Sequence, residues 1–121
     1  MKKICITAAA LFSFVIFTFG YQEKTLVGKW EGKSPNGTIL GAVFKADHTY
    51  AGYANKEVFV TGKYEFKDNL LAMDDDQGCE TKGTYKITFF ADSILFSVVA
   101  DGCTGRKKGT DKLVLGFVKS K

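Results

Sequence analysis

The chain has 121 residues, 45% of them apolar and 14% aromatic, with 17 Lys and Arg against 13 Asp and Glu. That length admits one domain with one core. The net charge of +4, with basic and acidic groups interspersed, leaves no electrostatic footprint for nucleic acid or for an anionic membrane surface.

The chain opens with Lys2 and Lys3, an uncharged run from Ile4 to Gly20, and then the polar "YQEKT". A short basic head, an apolar stretch and small residues such as Thr18 and Gly20 before a polar boundary form the layout of a secretory signal. The run is at the short limit for a membrane span, so a cleaved leader over residues 1–20 is expected rather than an anchor. Cys5 lies inside the apolar run and is not placed to carry a lipid. The expected mature chain, residues 21–121, has lost two lysines and no acid, so 15 basic against 13 acidic groups leave +2. It is expected to be secreted or periplasmic, with no stable membrane insertion.

From residue 26 onward, short runs of β-branched and aromatic residues recur between turn residues, and no segment sustains a helical period. The predicted strands are Leu26 to Lys33, Thr38 to Phe44, Thr49 to Tyr53, Glu57 to Phe66, Asn69 to Asp74, Lys82 to Phe90, Ser93 to Ala100 and Lys112 to Lys119. Alternation supports them. Val58, Val60, Tyr64 and Phe66 share one face, as do Tyr85, Ile87 and Phe89, and Leu113, Leu115 and Phe117. The links "SPNG", "KADHTY", "FKDN" and "FADS" are tight enough for antiparallel neighbours. Nothing demands a Greek-key crossing, so the expected fold is all-β, an eight-stranded antiparallel up-and-down barrel whose closure removes both edges. His48, the one histidine, is read as a turn residue, since His tolerates left-handed backbone angles.

At "LVGKWEG" the first strand carries Gly28-x-Trp30. With "FKADHTYAGY", "GKYEF", "QGCETKGTY", "DSILFSVVADGCTGR" and "LVLGFVK", it resembles small bacterial secreted lipocalin-like (calycin-type) domains over Leu26 to Lys119. The resemblance implies that Gly28 and Trp30 close one end of the barrel and that the links after odd-numbered strands surround an open end. Lipocalins often stack an Arg beyond the last strand on that Trp. Here the one arginine, Arg106, precedes the last strand and is expected at the opposite end, which leaves Lys119 as the candidate cation for Trp30.

Two similar stretches, "MDDDQGCETKGTY" and "VADGCTGRKKGTD", hold the two cysteines of the expected mature chain. A hairpin turning at Ala91 and Asp92 brings Cys79 opposite Cys103 to within a residue, and two cysteines in an exported chain read first as one disulfide. Their spacing is wrong for a redox pair, and two Cys with one distant His do not make a zinc site. Asp74, Asp75, Asp76 and Glu80 match no Ca²⁺ loop. They are read instead as surface partners of Arg106, Lys107 and Lys108, contributing roughly 0–1 kcal/mol each.

No nucleophile with its base, phosphate-binding loop or paired carboxylates can be assembled from the sequence. The expectation is a noncatalytic protein without metal or cofactor. Tyr64, Tyr85, Phe89, Phe96 and Phe117 are the candidate ligand contacts for a small apolar or amphipathic molecule, with Arg106 at the rim orienting an anionic head group. Barrels of eight strands are also filled by their own side chains, so cavity and filled core both remain open. The alternative function is a secreted inhibitor or protein-binding module acting through its loops, with a partner the sequence does not name.

Overall fold

A computed structural model describes residues 24–119; the leader assigned to residues 1–20 lies outside them. Eight strands follow in order: β1 Gly28–Lys33, β2 Ile39–Phe44, β3 Thr49–Ala54, β4 Glu57–Lys67, β5 Leu70–Asp75, β6 Gly83–Phe89, β7 Ser93–Asp101 and β8 Val114–Val118. Each pairs antiparallel with the next, and β8 pairs with β1 to close the barrel. The expected architecture is present.

Turn chemistry explains the meander. Asn55–Lys56 and Asp68–Asn69 have positive φ at both positions, 49° and 77°, then 53° and 65°, which is the primed geometry that matches strand twist in two-residue hairpins. Between β2 and β3, Asp47 accepts hydrogen bonds from the Thr49 N–H (3.0 Å) and hydroxyl (2.6 Å). His48 follows at φ 71°, with its ring stacked on Tyr64. The turn assignment for His48 holds.

The barrel core is continuous from Leu26 and Trp30 at one end to Phe44, Tyr85, Phe96 and Leu115. Trp30 donates its indole N–H to the Leu26 carbonyl (2.9 Å) and takes Phe117 edge-on at 5.0 Å. That packing gives Gly28-x-Trp30 a physical reason. Gly28 has φ 138°, and a Cβ there would lie 2.6 Å from the Phe117 ring. Phe117 is the aromatic partner of the Trp, and the expected Lys119 cation is not found over it: the cation–π contacts among the described residues are Lys24 over Phe89 and Lys29 over Tyr53.

Two details depart from the predicted elements. Pairing slips between Gly52 and Tyr53, which face Val60 and Val58 respectively. Phe59 is the extra residue of this bulge, so Val58 leaves the inward face and the two side chains are 61% and 68% exposed. Within the predicted loop before β8, Thr104–Thr110 form a short helix, α1, and β8 starts at Val114 instead of Lys112. Seven residues with two glycines carry too little periodicity and propensity to announce a helix. Tertiary ties hold it: Asp111 Oδ1 accepts from the Val98 N–H (2.9 Å), and the Lys112 N–H donates to the Phe96 carbonyl (2.7 Å).

Candidate functional site

Antiparallel succession places the links after β1, β3, β5 and β7 at one end of the barrel, away from Trp30. Cys79 in the β5–β6 link and Cys103 at the head of α1 are joined there by a disulfide, with Cα atoms 5.6 Å apart. The β6–β7 register keeps Tyr85 opposite Val98 and Ile87 opposite Phe96, then slips so that Thr84 faces Ala100 and Gly83 faces Asp101. The hairpin thus delivers both cysteines to the mouth.

That second slip has a chemical result. Val99 becomes the surplus residue and is exposed, while Asp101 turns inward. Its carboxylate, 0% exposed, meets the Arg106 guanidinium, 5% exposed. Nε donates to Oδ2 and Nη2 to Oδ1, both at 2.8 Å, in the bidentate fork that Arg makes best. Nη2 also donates to the Thr81 carbonyl at 2.7 Å, and the Cys103 N–H donates to Asp101 Oδ1 at 2.9 Å. On the other edge, Nη1 lies 3.3 Å from Asp75 Oδ1, whose side chain is 6% exposed. Tyr50 donates its hydroxyl to Asp75, and Tyr85 donates to Asp101.

The result is a chain of five side chains, Tyr50–Asp75–Arg106–Asp101–Tyr85, running from β3 through β5 and α1 to β7 and β6. Arg106 is not the solvated rim residue expected from the sequence, and its partners are not surface pairs. The Arg106 hydrogen bonds hold the Asp101 carboxyl down to about 2, against the opposing effect of burial. Asp101 in turn raises the pKa of the guanidinium. Burial, and then the adjacent carboxylates, push the phenols of Tyr50 and Tyr85 well above their ordinary range. Lys107 and Lys108 stay exposed on α1, and Asp76 accepts from the Thr61 hydroxyl at 2.8 Å.

Beneath the network lies a cavity of about 490 Å³. Phe44, Tyr50, Phe96 and Leu115 form part of its wall, with Arg106 and the disulfide at the mouth. Of the predicted contacts, Phe96 and Arg106 face it. Tyr64 and Tyr85 are buried in the barrel with their hydroxyls engaged, Tyr64 on the Lys45 carbonyl at 2.8 Å and Tyr85 on Asp101. Phe89 and Phe117 border a separate, more open depression of about 360 Å³ beside Trp30. The structure therefore divides the six candidates among three places. It adds Tyr50 and Asp101, which sequence reasoning missed, and it buries Asp75, which the sequence paired with Arg106 only at the surface. Asp75 had a signal, since it shares the inward parity of Leu71 and Met73; Asp101 had none, because the bulge at Val99 inverts its parity.

No protein-family model and no curated protein matches the chain.

Proposed function

We propose that this is a noncatalytic, exported, lipocalin-like carrier that takes a small apolar or amphipathic molecule through the disulfide-bonded mouth of the barrel. The observation that carries the reading is the cavity of about 490 Å³ at that mouth, a size within the range of small-molecule sites and lined in the usual way, mostly apolar with a few fixed polar groups. The disulfide supports an oxidising compartment, in keeping with the expected leader. Native mass spectrometry of protein purified from the periplasm or medium, with uptake of the neutral apolar dye N-phenyl-1-naphthylamine, tests it. An adduct mass or saturable uptake is expected; neither, in folded protein, refutes it.

A second reading is favoured by one observation, the adjacent exposed side chains Val58 and Phe59 on the mouth side of β4. These would serve a protein-binding module acting through its loops. Pull-down from periplasmic and host extracts separates the two. A stoichiometric protein captured by the natural chain and lost on Phe59→Ser supports the module, and a carrier recovers none.

A further inference from the structure

We propose that Phe59 is the closing contact of the binding site, its ring packing down on the apolar part of a ligand in the cavity and slowing its release; this rests on the carrier reading above. The ring is 68% exposed, yet it borders the cavity. Val58, the other exposed side chain of the bulge, does not. Strand pairing explains the difference. It passes from Tyr53–Val58 to Gly52–Val60, so Phe59 has no partner on β3, and its Cζ stands 3.7 Å from the place that a Cβ on Gly52 would take. Gly52 shares the inward face of Tyr50, so the tip of the ring overhangs the interior. Among the described residues no other aromatic ring pairs with Phe59, and it lies outside the core cluster.

The far wall leaves room for what the ring would cover. α1 enters the mouth between β7 and β8, on the other side of the closed barrel from β4. It presents Gly105 and Gly109, one helical turn apart and both bordering the cavity. No heavy atom lies within 4 Å of where either Cβ would stand. A molecule in this space has glycine backbone on one side and the Phe59 ring on the other. An exposed ring gains free energy from apolar surface placed against it, whereas the nearby polar groups Tyr50, Asp75 and Arg106 are already engaged with one another. The bulge, which interrupts the ladder and re-aims a side chain, thereby serves the ligand and not the packing of the barrel. Under the carrier reading, the exposure of Phe59 needs no protein partner.

Affinity and release rate of N-phenyl-1-naphthylamine, from fluorescence titration and stopped-flow dilution of the natural chain and of Phe59→Ser, test the inference. The variant should bind the dye about tenfold more weakly, the fold-change that corresponds to burying roughly half of a Phe side chain. Most of the loss should appear as faster release. Without dye, the urea midpoint of Phe59→Ser should match that of the natural chain, because the ring is mostly exposed. Dye affinity and release within about twofold of the natural chain overturn the inference and leave the carrier reading intact. So does a variant that fails to fold or whose midpoint without dye falls, since the ring is then part of the scaffold. Folded natural protein that takes up no dye removes the carrier reading and the inference with it.

Discussion

Replacing Arg106 separates a buried network from the surface pairing that the sequence suggests. Arg106→Met leaves Asp101 and Asp75, 0% and 6% exposed, without their counter-charge. Breaking a buried pair by removing one partner costs about 3–5 kcal/mol, against roughly 0–1 kcal/mol for an exposed pair. With a urea slope of about 1 kcal/mol per molar for a small domain, the midpoint should fall by about 3–5 M. Asp101→Asn alone should also destabilise, by about 1–3 kcal/mol, because it removes the charge from a bidentate acceptor. The double variant should cost clearly less than the two singles together, since neither residue is then left facing an unmatched partner. Arg106→Lys provides a gentler series member: it keeps the charge but cannot span both Asp101 oxygens and the Thr81 carbonyl. Equilibrium urea unfolding of oxidised protein at pH 7 measures all four. Single variants within about 1 kcal/mol of the natural chain, or strictly additive losses, would refute the argument that the guanidinium is the centre of a desolvated network.

Acid should act through the same group. The Asp101 pKa is depressed from 3.8 to about 2 in the fold, so its contribution is complete above about pH 4 and is lost as pH falls towards 2; thermal melts across that window should lose this step in Asp101→Asn. Reducing the Cys79–Cys103 bond, or replacing both residues by Ser, should lower stability by about 3.5 kcal/mol from the closure entropy of a ring of about 25 residues. Paired urea curves with and without reductant give the value. Gly28→Ala combines an unfavourable φ of 138° with a Cβ 2.6 Å from Phe117, and should cost about 1–3 kcal/mol. Fluorescence of Trp30, the one tryptophan, should report a disturbed barrel end.

Local rules carried most of the fold. Apolar alternation and turn residues such as Asn55, Asp68 and Asn69 are local signals, and they are enough to define eight strands and their antiparallel order. Hairpin counting also put Cys79 beside Cys103, because a tight turn at Ala91 and Asp92 transmits register along both strands. The site was harder for a reason that can be named. Alternation assumes an unbroken ladder, and each bulge reverses the parity of the residues beyond it. One inserted residue at Phe59 turned Val58 outward. Another at Val99 turned Asp101 inward.

That second reversal is what converts Arg106 from a surface cation into the centre of the mouth. Without Asp101 on the inner face, the guanidinium would keep only Asp75 as a counter-charge, and the Cys103 N–H at the head of α1 would lose its acceptor. The disulfide and the ion pairs then act on the same segment: the covalent bond brings the β5–β6 link to the head of α1, and the carboxylates fix the side chain that α1 turns inward. Two independent constraints on seven residues explain how a glycine-containing helix of weak propensity is held over the cavity.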